Sequence, residues 1–146
     1  MTTIIEKVLH LQDIEVFRYA HTENLSQLAS VSQDTDRRKG SSLFRVGETC
    51  KTFHILVEGQ VNLESDSGES RIVQKSVLDY WSFLAGEKHL FSAICLEDCL
   101  LYTVAYNEMV ELLTAEPEFC WAILRHLADV GRKAEVGSSL GPLPGP

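Results

Sequence analysis

The histidines and cysteines of this chain are its candidate ligands for a metal ion or a haem group. They are His10, His21, His54, His89 and His126, and Cys50, Cys95, Cys99 and Cys120. No two histidines are four residues apart, the spacing that places two imidazoles on one face of a helix. Cys95 and Cys99 are close together, but the sequence around them is typical of strands and matches no cluster motif. We therefore expect buried, unligated thiols and no metal, haem or other cofactor.

Motifs that carry out catalysis are missing from the sequence. It contains no Gly-x-Ser-x-Gly, no glycine-rich phosphate loop and no His-Glu-x-x-His. No pair of carboxylates has a defined spacing of the kind that acid–base catalysis uses. We therefore expect that the protein is not an enzyme.

Composition and charge exclude several classes of protein. The 146 residues are 45% hydrophobic and 23% charged, with a net charge of −8, which suits one globular domain. Such an acidic chain repels the phosphates of nucleic acids and of anionic membranes. No apolar run approaches the roughly 18 residues of a membrane span, and the N-terminus lacks the anatomy of a signal peptide. With few cysteines, we expect a cytoplasmic protein that binds no nucleic acid and inserts into no membrane.

The order of local patterns indicates an α+β fold. Residues 1–32 have apolar side chains at helical spacing, with Thr22 as an expected helix cap. Residues 33–105 alternate polar and apolar side chains between glycines, which predicts an antiparallel β-barrel of the jelly-roll type with about eight strands. Residues 107–134 return to helical spacing, with Asn107 as the expected first cap. The domain is expected to end there, because residues 135–146 have no periodicity and are predicted to form a flexible tail.

The glycine-punctuated centre of the chain is similar to a known family. The segments LFRVGE at 43–48 and FHILVEGQVNL at 53–63, and further on residues 96–104, resemble cyclic-nucleotide-binding domains. Those domains are the effector modules of catabolite-activator-type regulators, protein kinase A regulatory subunits and gated channels. The resemblance extends over about residues 5–130, and it implies a jelly-roll barrel flanked by helices and a regulatory or sensory role in signal transduction.

The family binds the cyclic phosphate in a cassette that reads Phe-Gly-Glu, a short turn, and then Arg-Ser-Ala. The glycine and adjacent amides face the phosphate, the glutamate binds the ribose hydroxyl, and the arginine pairs with the phosphate. A gapless match puts Asp79 at the glycine, Tyr80 at the glutamate and His89 at the arginine, and a shifted match puts Phe91 at the arginine. In either match the resemblance implies a degenerate cassette.

Charges in this region also oppose a phosphate. From Ser76 to Leu124 there is one lysine, Lys88, against eight acidic residues, and there is no arginine. A carboxylate about 4 Å from a phosphate charge repels it by about 4 kcal/mol at an effective dielectric of ~20. We therefore expect no binding of cyclic AMP or cyclic GMP in the usual way. The residues that would contact a ligand in the degenerate cassette are Asp79, Tyr80, Trp81, Lys88, His89, Phe91 and Ser92.

Aromatic side chains are concentrated where the family keeps its pocket. They are Tyr80, Trp81, Phe83 and Phe91. Our interpretation is that these rings fill the nucleotide site as part of the core. The alternative is an apolar pocket for a nucleotide or another small ligand, in which case the chain is a functional effector domain that signals through its C-terminal helix.

The last predicted helix, from Glu118 to Ala134, is apolar over more of its surface than docking on one barrel requires. Its apolar side chains include Phe119, Ile123, Leu124, Leu127 and Val130. Because this helix often pairs with its twin in the resembled family, we expect a homodimer or contact with an output domain, with plain packing in a monomer as the alternative. Twelve residues follow Ala134, so any output domain is expected in a partner or a longer protein.

Overall fold

In the computed structural model, which describes residues 2–137, two helices precede the strands and two follow them. The helices are α1 (Ile4–Gln12), α2 (Thr22–Val31), α3 (Tyr80–Ala85), α4 (Tyr106–Ala115) and α5 (Pro117–Gly137), and a 3-10 turn spans Glu15–Phe17. The strands are β1 (Gln33–Arg37), β2 (Ser42–Phe44), β3 (Thr52–Glu58), β4 (Val61–Ser65), β5 (Ser70–Val73), β6 (Ser76–Val77), β7 (Phe91–Cys95) and β8 (Cys99–Ala105). The predicted α+β class is confirmed.

The eight strands form two antiparallel sheets of four. Their orders are β1-β8-β3-β6 and β2-β7-β4-β5, which is the jelly-roll arrangement. In the first sheet β3 pairs with β8, so that Phe53 lies opposite Val104 and Ile55 opposite Tyr102. The strands therefore form the predicted jelly-roll arrangement as two packed sheets, each of which pairs its strands internally.

Side chains alternate between the two faces of each strand, and they form two hydrophobic cores. On β3, the side chains of Phe53, Ile55 and Val57 face the helices, where they pack with residues of α1, α2, α4 and α5. Leu56 points to the other face and packs against the second sheet. This period of two is the signal from which the strands were predicted, and it places β3 at the centre of the molecule.

A buried ion pair fastens α1 to the first sheet. The Lys7 ammonium lies 3.0 Å from Asp34 Oδ1 and donates to the Ser32 carbonyl oxygen at 3.0 Å. The Thr2 hydroxyl donates to the other Asp34 oxygen at 2.6 Å, and this bond does most to hold the pKa of Asp34 at about 2. The helical N-terminal part is thus joined to the sandwich by polar as well as apolar contacts.

Helix ends differ in detail from the prediction. His21, not Thr22, occupies the capping position of α2, and α4 begins at Tyr106 directly after β8, so Asn107 is already inside the helix. Helix α5 continues past the predicted end at Ala134 to Gly137, and the rest of the predicted flexible tail, residues 138–146, lies outside the described residues. Across residues 2–137, none of the helices has the length and apolar character that crossing a bilayer demands.

The turn between β3 and β4 requires glycine for two reasons. Gly59 has a φ of +97°, and a Cβ at this position would lie 2.7 Å from both the Asp98 carbonyl oxygen and Cys99 Sγ. We expect Gly59→Ala to lower the free energy of unfolding by at least about 1–3 kcal/mol, measured by urea denaturation. Gly40→Ala is the control, because Gly40 has a φ of +89° but open space around it. Equal losses in the two variants would show that the close approach at Gly59 costs nothing.

Candidate ligand-binding cassette

Asp79 stands between β6 and α3 in a backbone conformation that few side chains adopt. Its φ of 49° and ψ of 44° are left-handed, where glycine is favoured because a Cβ crowds the neighbouring carbonyl. The conformation directs the Asp79 side chain into the protein, where the residue is 4% exposed. A strained and buried aspartate needs compensating contacts, and one residue of α3 together with the residues after it supply them.

The Asp79 carboxylate accepts hydrogen bonds from three groups of the protein itself. Its Oδ2 accepts from His89 Nδ1 and from the Leu90 backbone amide, both at 3.0 Å. Its Oδ1 accepts from the Ser82 hydroxyl at 2.9 Å. Ser82 and His89 are also buried, so this cluster is closed to solvent. The structure therefore brings together Asp79 and His89, two of the residues that the sequence analysis assigned to the cassette.

A stack of rings continues inward from His89. The His89 and Phe44 rings are 3.8 Å apart between centroids and 9° from parallel, and the His54 ring lies 5.3 Å from Phe44. Burial, and next the electrostatic influence of His89, lower the pKa of His54 to about 4. His54 is therefore neutral at pH 7. Sequence reasoning did not join these three residues, because they come from β2, β3 and the segment before β7.

The aromatic residues of the cassette do not all fill the core, contrary to our first interpretation. Phe83 is buried and lies 4.8 Å from Phe53 between ring centroids. Tyr80 is half-buried against α5, with its ring 6.2 Å from that of His126. Trp81 is 42% exposed because it occupies the outer side of the short helix α3. Phe83 is therefore part of the core, Tyr80 and Phe91 pack against the edges of the two cores, and Trp81 lies outside them.

Phe91 has a cationic neighbour that the sequence analysis missed. The Arg71 guanidinium carbon lies 5.6 Å from the centre of the Phe91 ring. Arg71 pairs with Leu63 across β4 and β5, and Leu63 is buried, so Arg71 stands on the inner side of the second sheet. Its charge also opposes the burial that raises the pKa of Tyr80. The alternation of side chains along β5 is the sequence feature that could have placed Arg71 on this side of the sheet.

The two remaining cassette candidates lie apart from the Asp79 carboxylate. Ser92 accepts a hydrogen bond from the Val46 amide at 3.0 Å, so its hydroxyl holds the loop after β2. Lys88 is exposed and forms an isolated β-bridge with Thr49.

The apolar residues of α5 that were predicted to contact a partner lie in two environments. Phe119 and Ile123 are buried on the chain's own core, where Phe119 lies 6.0 Å from Phe17 between ring centroids. They are not available to a second protein, because the sandwich and the turn before α2 already cover them. The large exposed apolar residues of α5 are Leu124 at 49%, Trp121 at 65% and, near its end, Val136 at 89%, while Leu127 and Val130 are half-buried.

The outer end of α5 is tied to the turn that precedes α2. The Tyr19 hydroxyl donates a hydrogen bond to Asp129, and the Arg125 guanidinium lies 4.2 Å above the Tyr19 ring. These contacts join two segments that are far apart in sequence, and they fix the direction in which the helix leaves the domain.

All four cysteines have free thiols, and three of them are buried. Burial raises the pKa of Cys50 to about 11 and, together with a hydrogen bond to Cys95, that of Cys99 to about 11. At neutral pH these two are therefore thiols rather than reactive thiolates. In the described part of the chain no three histidine, cysteine or acidic side chains are grouped to hold a metal ion.

Solved structures share this fold at low sequence identity. The N-terminal domain of a transcriptional regulator from Streptomyces coelicolor A3(2) is 20% identical, with a TM-score of 0.73 over 89% of this chain and 97% of that one. The sensor domain of the transcriptional regulator DNR from Pseudomonas aeruginosa is 18% identical, with a TM-score of 0.69 over 90% and 98%. The catabolite activator protein of Thermus thermophilus is 20% identical, with a TM-score of 0.69 over 84% of this chain and 60% of that one.

The sequence itself is matched by a family model. Curated proteins include no match to this chain. The model of the cyclic nucleotide-binding domain matches residues 36–116, which extend from the end of β1 to the end of α4 and include α3 and the Asp79 cluster. That span is more than half of the chain, so the protein belongs to the cyclic nucleotide-binding domain family.

Proposed function

We propose that the domain is a regulatory or interaction module, not an enzyme, whose cassette holds its own carboxylate in place of a cyclic nucleotide. The observation that carries the proposal is the buried Asp79 carboxylate with its three internal donors. A regulatory role is supported by the solved relatives from Streptomyces coelicolor and Pseudomonas aeruginosa, which are domains of transcriptional regulators.

The positions of the donors explain why the carboxylate would exclude a phosphate. In the family's pattern the arginine binds the cyclic phosphate, and the gapless match places His89 at that position, directly before Leu90. Here the His89 imidazole and the Leu90 amide donate to Asp79 instead. An entering phosphate would have to displace a satisfied carboxylate, and at the arginine position it would meet an imidazole in place of a guanidinium fork.

We expect cyclic AMP and cyclic GMP at millimolar concentration to leave the thermal midpoint of the domain unchanged. A ligand at 100 times its dissociation constant would stabilise the fold by about 2.7 kcal/mol, which differential scanning fluorimetry resolves easily. A cyclic AMP-binding regulatory domain measured in the same plate is the positive control. A shift of several degrees, confirmed by calorimetry, would contradict the proposal.

We further propose that α5 is the contact surface of the module and that its simplest partner is a second copy. Trp121 and Leu124 are three residues apart on the helix, so their exposed side chains lie on one side. Phe119 and Ile123 hold the opposite side on the sandwich, which leaves this surface free in the single chain. Burying two such side chains between copies would contribute about 3–6 kcal/mol before the costs of association.

The oligomeric state tests this surface. We expect the wild-type domain to dimerise at high micromolar concentration in sedimentation equilibrium and Leu124→Glu to be monomeric, because a carboxylate would be buried at the contact. Leu9→Glu is the matched control, since Leu9 is 57% exposed on α1 and far from α5 in the chain. A monomeric wild type, or equal weakening in both variants, would rule out pairing through α5.

A further inference from the structure

A cavity of about 580 Å³ opens at the end of the sandwich where β1, β2 and β3 meet the segment after α3. Its lining comes from Arg37, Leu43, Phe44, the loop 47–49, residues 51, 52 and 54, and residues 88 and 89. None of Arg71, Tyr80 or Phe91 lines it, so it is separate from the aromatic side of the cassette. The cavity shares Lys88 and His89 with the candidate cassette, and His89 contacts Asp79 with one ring nitrogen and stacks on Phe44.

The charges around this cavity are mostly positive in a protein whose net charge is −8. Arg37, Lys51 and Lys88 line it, against the single carboxylate of Glu48. The Glu48 carboxylate already accepts a hydrogen bond from the Arg45 amide at 2.6 Å, so it is partly satisfied within its own loop. The local excess of cations therefore favours an anion, and the field is focused because the cations surround a concave surface.

Side chains of the wall add hydrogen-bond donors and hold the cations in place. The Arg37 guanidinium donates to the Ser42 carbonyl oxygen at 2.8 Å, which fixes its position at the rim. Thr49 and Thr52 line the cavity and carry hydroxyl groups. The floor is the stack of Phe44, His54 and His89, in which His54 Nδ1 is buried and has no hydrogen-bond partner among residues 2–137.

We propose that this cavity binds a small, multiply charged oxyanion. The lining supplies several donors and cations but few acceptors, so it matches a ligand whose surface consists of acceptor oxygens and negative charge. The volume accommodates a ligand of the size of pyrophosphate or citrate. Phosphate esters and polycarboxylates share this chemistry, and the experiment separates them by the probe used.

Isothermal titration calorimetry at low ionic strength tests the site with pyrophosphate and, separately, with citrate. We expect saturable binding of at least one probe, weakened on the order of tenfold in the double variant Lys51→Gln/Lys88→Gln. Acetate, which carries a single charge, should not bind measurably. The matched control is Arg38→Gln/Lys39→Gln, which also removes two exposed cations from the chain but leaves the lining of the cavity intact.

Ring signals of the two histidines in NMR spectra locate the ligand on the wild-type protein. We expect the probe that binds to shift the His54 and His89 imidazole signals and to leave the exposed His21 unaffected. No binding of either probe, equal weakening in the two double variants, or shifts absent from His54 and His89 would overturn the proposal. The NMR result stands even if a variant folds poorly, and neither experiment depends on whether Asp79 excludes cyclic nucleotides.

Discussion

Replacing Asp79 by alanine is expected to lower the free energy of unfolding by about 3–5 kcal/mol, because it removes one partner of a buried, hydrogen-bonded pair. The variant leaves the Leu90 amide and the His89 imidazole without the acceptor that they share. The His89 imidazole would then be desolvated without compensation, because the cluster is closed to solvent, whereas the Leu90 amide keeps the Ser82 hydroxyl as an acceptor at 3.1 Å. The alanine also stays in the left-handed conformation and so keeps the strain of the wild type.

Two further variants separate the carboxylate from the backbone. Asp79→Asn keeps an acceptor oxygen and tolerates a positive φ, so it should lose less than the alanine variant. Asp79→Gly removes the carboxylate, but glycine adopts a φ of 49° without strain. This variant should therefore be more stable than the alanine variant by about 1–2 kcal/mol.

Urea denaturation of the four proteins measures these differences at one pH. We expect stability to fall in the order aspartate, asparagine, glycine, alanine. An alanine variant within about 0.5 kcal/mol of the wild type would show that the Asp79 cluster does not stabilise the domain, as for an ordinary surface substitution. That result would also remove the main support for a cassette occupied by its own carboxylate.

Much of the fold was predictable because local patterns and burial agree. Alternating side chains on β3 and β4 predicted strands, and the apolar spacing of α5 predicted a helix whose buried side includes Phe119. The order of the strands within the two sheets was not predictable from spacing, because a period of two identifies a strand without identifying its neighbours. Only the register shows that β3 pairs with β6 and β8.

The site was harder to predict than the fold, because its contacts join segments that are distant in sequence. A resemblance placed Asp79 and His89 in the cassette, but only the structure shows that they bond to each other. The same holds for Phe44 and His54, whose rings reach the site from the other end of the sandwich. The split of α5 into buried Ile123 and exposed Leu124 depends on which side docks, and spacing alone leaves that choice open.

Acidification is expected to destabilise the domain between about pH 6.5 and pH 4, and His54 accounts for much of the loss. The pKa of His54 falls from 6.5 to about 4 in the folded state. Between these pH values His54 is therefore protonated in the unfolded chain but neutral in the native protein. Stability therefore decreases as the pH falls through this window, by about 3 kcal/mol in total. Burial also lowers the pKa of His126, which acts in the same direction, whereas Asp34, with a pKa of about 2, acts only below about pH 4.

The variant His54→Phe isolates this contribution, because phenylalanine keeps a ring against Phe44 and carries no titratable nitrogen. Urea denaturation at several pH values should show a flatter dependence between pH 6.5 and 4 for this variant than for the wild type. His21→Gln removes an exposed imidazole and should follow the wild-type curve. Arg37, whose charge helps to keep the His54 ring neutral, remains in both variants, and so does His89. If the His54→Phe and wild-type curves run parallel, His54 does not resist protonation, and the floor of the cation-lined cavity is more polar than its burial implies.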